Sequence, residues 1–365
     1  MLARQAAGLV DSVAMRPSDR PCFSFLTTAY KTEAYLGATI DSVVAQSDAN
    51  WELVIVDNGN DDDIAAIVAS FAHDPRITLL RQENRGYVGG VMAAAAEARG
   101  AYLCVLDSDD QLMPDFVRTM SAYLEAHPGV AAVGCDAHEF SDGEQDTFGR
   151  THLRAIGVRR VSVGGEVLTV KDLLRGRVPF YTGAISRESW DRVGGYRPDV
   201  GGGDPDVLVS LEASDEYEPD VLLWLELSSQ FDVRIIPERL ARCRVRPTSL
   251  SRGPERIEQF ETSLIGTFER FAESSGRADY QALVQAPVHR LRYNQAIRRA
   301  RWAFLDGDVS SARGHAREAF ALRRTLRAAA ILAALSLPVR LVAAAYPAKQ
   351  RAAAWARRWH GRVRP

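Results

Sequence analysis

The sequence predicts an α/β fold, a mixed sheet with helices on both faces, followed by a C-terminal helical extension. Three observations predict it. Over the first 140 residues, short apolar runs alternate with segments of helical periodicity across short connections. Several of those runs end in polar clusters that a parallel sheet gathers at one edge. From Pro254 the pattern changes to long helical periodicity.

Phe23–Thr28, Glu52–Asp57, Ile77–Arg81, Ala101–Asp107 and Val130–Cys135 read as strands, each a short apolar run. Between them Glu33–Gln46, Ile64–Phe71, Gly89–Arg99 and Pro114–Ala126 read as helices. In a mostly parallel sheet of this kind, ligands bind outside the carboxyl ends of the strands. Thr27-Thr28-Ala29-Tyr30, Asp57-Asn58-Gly59 and Asp107-Ser108-Asp109-Asp110 then share one edge. From about Phe140 the pattern loosens into short strands, loops and a Gly/Asp-rich stretch from Gly201 to Asp206. A helix over Pro219–Ser229 follows, then two strands, Val233–Ile236 and Leu240–Val245. Tyr293–Arg323 reads as two antiparallel helices turning at Leu305-Asp306-Gly307-Asp308. The chain is thus expected to comprise an N-terminal extension (1–20) and an α/β domain (21–252) in two halves, 21–140 and 141–252. A helical region (253–327) and a basic amphipathic tail (328–365) complete it.

Hydrophobic content of 46% and charged content of 25% are those of an ordinary folded chain. Cys22, Cys104, Cys135 and Cys243 show no paired spacing and read as small buried side chains of a reducing compartment, not as a disulfide or zinc framework. The first twenty residues lack a cationic start followed by a long apolar stretch, so no secretory signal is expected. Charge is unevenly distributed. After Glu318 ten arginines and lysines follow without an acid, leaving 35 basic residues against 47 acidic ones before them. Such a tail suits an anionic surface. Ala328–Ala348 is apolar over about a bilayer-spanning length, but Pro338 and Arg340 interrupt it. With Trp355 and Trp359 among arginines, it reads as an amphipathic helix with an interfacial anchor.

From Tyr102 to Asp110 a run that suits a buried strand ends in three carboxylates within four positions. Acids so close repel one another unless a cation shares them or water solvates them. Hard oxygen donors of this kind suit Mg²⁺ or Mn²⁺; a solvated acidic turn capping the next helix is the alternative. A nicotinamide dehydrogenase is disfavoured because Thr27-Thr28-Ala29-Tyr30 contains no glycine. A P-loop enzyme is excluded by the lack of Gly-Lys-Ser/Thr at a strand end.

These segments together resemble the family 2 glycosyltransferases, inverting enzymes of the GT-A fold, from about Phe23 to Ser251. Phe23–Tyr30 with Glu33 is similar to that family's first strand and nucleotide loop, which implies donor contacts from Thr27, Thr28, Ala29, Tyr30 and Glu33. Ile40-Asp41-Ser42-Val43 and Gln46-Ser47 match its first helix. Trp51–Gly59 is similar to the second strand, whose terminal acid, here Asp57, grips the base. Asn84-Arg85-Gly86 matches the turn before the third helix and adds Asn84 and Gly86. Asp107-Ser108-Asp109 matches the metal-binding Asp-x-Asp, which assigns Asp107 and Asp109 to the metal and Asp107 and Ser108 to the donor. Thr182-Gly183-Ala184 and Val193-Gly194-Gly195-Tyr196 resemble the acceptor-side strand and turn, hence Thr182, Gly183, Gly195 and Tyr196. The family's general base is the Asp of a Glu-Asp pair opening a helix, which corresponds to Asp220. Pro219 stands where that pair has Glu, and Glu218 lies one step earlier, so both acids are catalytic candidates. A proline in the first turn also suits an ordinary helix start, where the N-terminal amides favour an ionised Asp220. Arg244-Val245-Arg246-Pro247-Thr248-Ser249 resembles the loop closing over the donor diphosphate, implicating Arg244, Arg246 and Ser249.

The resemblance implies a Mg²⁺- or Mn²⁺-dependent inverting transfer from a nucleoside-diphosphate sugar, UDP- or dTDP-linked, to a hydroxyl of a glycan or lipid-linked acceptor. The expected setting is cell-surface polysaccharide or glycoconjugate synthesis, in the cytoplasm or peripherally on the inner membrane face, without nucleic acid. A catalytically impaired nucleotide-sugar-binding scaffold and a sugar nucleotidyltransferase are the alternatives; the Gly-rich, Arg-containing first loop of the latter is missing.

Overall fold

Residues 22–141, 151–158, 160–196, 217–245 and 254–336 are described by the structure, a computed structural model. Two compact units divide the chain, Met1–Arg252 and Gly253–Pro365. The N-terminal extension, the Gly/Asp-rich loop, Arg246, Ser249 and the tail beyond Ser336 lie outside the described residues.

In the first unit the alternation produces β1 (Phe23–Ala29), α1 (Glu33–Val44), β2 (Trp51–Asn58), α2 (Asp62–Ala69), β3 (Ile77–Gln82), α3 (Gly86–Glu97) and β4 (Tyr102–Val105). After it come β5 (Gln111–Leu112), α4 (Phe116–Ala126), β6 (Ala132–Phe140), α5 (His152–Ala155), β7 (Glu166–Val167), α6 (Val170–Leu174), β8 (Phe180–Ser186) and α7 (Arg187–Val193). The unit ends with α8 (Pro219–Gln230) and β9 (Val233–Arg244). Among the described residues the strands form one sheet in the order β3-β2-β1-β4-β8-β6-β9-β5, with β7 paired to β9. β3, β2, β1 and β4 run parallel. β8 is antiparallel to β4 and to β6, so the sheet is mixed.

Chain order reverses between β1 and β4, which places a crevice at their carboxyl ends. Period-two alternation turns Phe23, Phe25 and Ala29 of β1, with Leu53 and Ile55 of β2, into a core shared with Leu36, Ile40, Ile64, Phe116 and Met120 of the helices. On the other face α3 lies against β1 at Gly90, where a Cβ would stand 2.2 Å from Thr28 Cγ2. Only glycine permits that approach.

Three of the differences from the sequence reading have a visible local cause. α3 begins at Gly86 rather than Gly89, because Asn84 Oδ1 accepts the Gly86 N–H at 2.9 Å and starts the turn early. β4 stops at Val105, although the Leu106 N–H still reaches the Leu26 carbonyl at 2.9 Å. The strands expected at Val233–Ile236 and Leu240–Val245 are a single strand, β9. Pro237 does not break it, because the β6–β9 register slips between Gly134↔Ile235 and Asp136↔Arg239, where no ladder N–H is required of it.

In the second unit α9 (Pro254–Ser275), α10 (Ala278–Leu305), α11 (Val309–Leu322) and α12 (Leu326–Ser336) follow one another. α10 and α11 are the expected pair, turning at Asp306-Gly307-Asp308. Buried Ala312, Ala316 and Ala319 on α11 allow close packing of its neighbours. Arg298 pairs with Glu261, and Arg292 with Glu269 at 2.6 Å, tying α10 to α9. The start of the apolar tail segment is α12, which buries Ala328 and Leu335 in its own unit. Among the described residues no helix is long and apolar enough to cross a membrane.

Candidate active site

β1 and β2 are in register at Ala29↔Asp57, and β2 and β3 at Asp57↔Arg81. This brings the polar ends of three strands together, with the acidic turn after β4 beside them. Asp57 is fully buried; its Oδ2 accepts from Arg81 Nε at 2.9 Å and its Oδ1 from the Asp61 N–H at 2.9 Å. Each oxygen keeps a second lone pair for a ligand. Asn58 Oδ1 accepts from Gln82 Nε2 at 2.7 Å and from the Arg85 N–H at 3.1 Å, while its Nδ2 donates to Asn84 Oδ1 at 3.1 Å. That network shapes the turn carrying Asn84 and Gly86. The Tyr30 ring lies against Gly59, and Glu33 opens α1. Thr27, Thr28 and Thr182 keep buried hydroxyls without partners among the described residues.

In the turn after β4, Tyr87 on α3 donates a hydrogen bond of 2.7 Å to Asp107 Oδ1. Burial first, and the Asp109 charge second, push the Asp107 carboxyl up to about 7. Ser108 and Asp110 are buried. The donor set fits a divalent ion, because two oxygen-bearing acids whose repulsion lifts one of them gain from a shared cation. Among the described residues no cluster of three or more His, Cys, Asp or Glu side chains could hold a metal on its own. Oxygens from a ligand or water would therefore complete the shell, as Mg²⁺ and Mn²⁺ accept.

Asp220 stands in the first turn of α8, with Pro219 at the helix start and Glu218 at the N-cap. Trp224, one turn on, lies against β8 and β6, its ring 2.9 Å from where a Gly183 Cβ would be and 3.4 Å from a Gly134 Cβ. This packing fixes the head of α8 beside β8. The Asp220 charge acts on Asp107, Tyr87 and Tyr196, which gathers the base candidate and the acidic turn around the same tyrosines. The Tyr87 and Tyr196 rings are 6.1 Å apart, and Trp190 backs Tyr196 at 5.7 Å. Gly195 also lies against the Trp190 ring. The N-terminal amides of α8 favour ionised Asp220, as expected, but burial outweighs them and moves its carboxyl above the ordinary range. His152, buried at the start of α5 with a ring nitrogen 3.2 Å from the Val178 carbonyl, is held below the usual imidazole range by burial.

Arg244 Nε donates to the Asp109 carbonyl at 2.9 Å, and its guanidinium sits over the Tyr35 and Phe140 rings at 4.6 and 4.5 Å. The sequence reading named Asp110 within the acidic turn but gave no role to it or to Tyr87, Tyr181, Arg81 and Trp224. Arg81 was the most accessible of them, since a predicted strand end beside that of Asp57 already placed it. Tyr87 and Tyr181 each adjoin a residue that was singled out, Gly86 and Thr182.

Residues 24–183 match the model of the family described as glycosyl transferase family 2. The succinoglycan biosynthesis protein ExoO of Rhizobium meliloti is 36% identical over 114 residues, covering 31% of this chain and 32% of that protein. The chain spans a third or less of the length of the curated relatives it matches first. Among solved structures, S. aureus TarS in complex with UDP superposes with a TM-score of 0.54 at 13% identity, over 90% of this chain and 91% of that one. Mannosyltransferase PcManGT from Pyrobaculum calidifontis, in complex with GDP-Man and Mn²⁺, gives 0.53 at 20% identity, over 88% and 81%. At these identities the likeness is one of fold, the GT-A fold that the motifs implied.

Proposed function

We propose that this chain transfers a sugar, with inversion, from a nucleoside-diphosphate sugar to a hydroxyl acceptor in cell-surface polysaccharide or glycoconjugate synthesis. The observation that carries the reading is the convergence of Asp220 with Asp107 around Tyr87 and Tyr196 at the carboxyl edge of the sheet. Asp107 and Asp109 would hold a Mg²⁺ or Mn²⁺ ion, which supplies charge neutralisation for the departing diphosphate. Asp57 accepts a ring N–H of the base, for which uracil or thymine is suited. Tyr87 orients Asp107. Asp220 accepts the proton of the acceptor hydroxyl; its raised carboxyl makes it a stronger base than an exposed aspartate. Glu218, at the N-cap, is the neighbouring alternative. Thr182, Gly183, Gly195 and Tyr196 line the acceptor side. Arg246 and Ser249 belong to the same reading through the resemblance of their loop.

PcManGT with its Mn²⁺ and TarS with UDP support the classes of metal and donor, and the name of ExoO supports the polysaccharide setting. We read the acid-free basic stretch after Glu318 as bringing the enzyme to an anionic inner membrane surface, where a lipid-linked acceptor would lie. Pro219, standing where the family has Glu, favours as second reading a scaffold that binds donor without turnover.

A thermal-shift panel of UDP, dTDP, GDP and ADP with and without Mn²⁺ tests donor binding. Nucleotide at a hundred times its Kd stabilises by about 2.7 kcal/mol. A Mn²⁺-dependent shift with UDP or dTDP is expected, and no shift with any nucleotide contradicts the proposal. Release of nucleoside diphosphate from a nucleotide sugar then separates the enzyme from the scaffold.

A further inference from the structure

Asp110, the last acid of the turn, shares the Tyr181 hydroxyl with Asp107 and takes a further partner from β9. It is buried, with 2% of its surface exposed. Its Oδ2 accepts from the Tyr181 hydroxyl of β8, and its Oδ1 from the Arg244 N–H of β9 at 2.7 Å. Thr39 Oγ1 of α1 lies 3.0 Å from the Ser108 carbonyl and 2.8 Å from the Asp110 carbonyl. Arg244 Nε closes the arrangement on the Asp109 carbonyl at 2.9 Å. Three elements distant in sequence thus grip the backbone and last side chain of one four-residue turn. The gripped atoms are the carbonyls of Ser108, Asp109 and Asp110 and the carboxylate of Asp110.

We propose that Asp110 is a positioning residue: with Tyr181 and Arg244 it locks the turn so that the Asp107 and Asp109 carboxylates are held ready for a divalent cation. This rests on the metal reading of Asp107 and Asp109. It assigns Arg244 a role distinct from contact with the donor diphosphate, that of bracing the turn between the rings of Tyr35 and Phe140. Tyr181 immediately precedes Thr182 and Gly183, so the brace joins the metal turn to the acceptor-side strand. A carboxylate ligand fixed by its surroundings loses less freedom on binding metal, and removing such outer partners costs about 10–100-fold in metal affinity.

Mn²⁺ binding to the full-length chain, followed by electron paramagnetic resonance in the presence of UDP, dTDP or GDP, tests it, with melting of the metal-free proteins measured alongside. Tyr181→Phe removes the hydroxyl that braces Asp110 and also reaches Asp107. It is expected to weaken Mn²⁺ binding by about 10–100-fold while the metal-free melting temperature moves by only a few degrees. Asp110→Asn is expected to weaken binding to a similar degree. Unchanged Mn²⁺ affinity in Tyr181→Phe overturns the proposal, and so does a loss in Tyr181→Phe with none in a folded Asp110→Asn, which would place the effect at Asp107. Complete loss in Asp110→Asn with none in Tyr181→Phe also overturns it, making Asp110 a ligand. If the parent chain binds no Mn²⁺ with any nucleotide, the metal reading itself falls, and this inference with it.

Discussion

Tyr87 and Asp107 face each other across the crevice, the phenol donating to Asp107 Oδ1 at 2.7 Å from the first turn of α3. The bond joins the helix that follows the turn at Asn84–Gly86 to the acid that ends the strand run. It stabilises the ionised acid, yet burial and the Asp109 charge prevail and leave the carboxyl at about 7.

A pH dependence follows for the metal-free protein. Below the unfolded value of about 4 both states hold the Asp107 proton, and the group contributes nothing. Between there and about 7 only the folded state holds it, so unfolding releases a proton and stability falls as pH rises. Above about 7 the loss is complete. Melting in EDTA across this range should show the parent losing stability relative to Asp107→Asn as pH rises. A constant difference between the two proteins would contradict the assignment.

Asp220→Asn keeps the size of the side chain and removes the proton acceptor. Turnover should fall by about 10²–10⁴-fold while donor affinity barely changes. Because burial raises the Asp220 carboxyl, the acid limb of the parent's rate profile should lie above the ordinary aspartate range. Near-normal turnover in this variant, with loss in Glu218→Gln, moves the base two residues upstream.

Gly183→Ala drives a methyl to within 2.7 Å of the Val133 carbonyl and 2.9 Å of the Trp224 ring. Overpacking of this kind costs about 1–3 kcal/mol, readable in a denaturant melt. Because Trp224 seats the helix that carries Asp220, turnover should fall further than donor affinity. A variant with parental stability would show that the α8–β8 contact is looser than described.

The basic stretch after Glu318 should bind the full chain to anionic liposomes at low salt and release it at high salt, since screening weakens surface attraction. Co-sedimentation measures this, and failure to bind at low salt removes the membrane reading.

The legible part of this protein was the part governed by local pattern. Apolar runs and period-two alternation fixed β1 to β4 within a few residues, and the polar ends of those runs located the crevice. Partners set by tertiary contact were not legible. Three acids in one turn look alike in sequence, and it is the Arg244 N–H, arriving from β9, that distinguishes Asp110. Val233–Ile236 and Leu240–Val245 read as separate strands because the register slip that carries β9 through Pro237 depends on the neighbouring β6. The upward shift of Asp220 likewise depends on how deeply α8 is seated, which Trp224 sets against two glycines far away in the chain.

The central claim is that this acidic edge handles a metal-bound nucleotide sugar. Nucleoside-diphosphate release from UDP-, dTDP- and GDP-sugars should be measured for the parent with Mn²⁺, for the parent with EDTA, and for Asp109→Ala. Release by the parent that vanishes in EDTA and in Asp109→Ala, with the variant's melting temperature preserved, is the predicted result. Release that persists in EDTA and in Asp109→Ala would contradict the account.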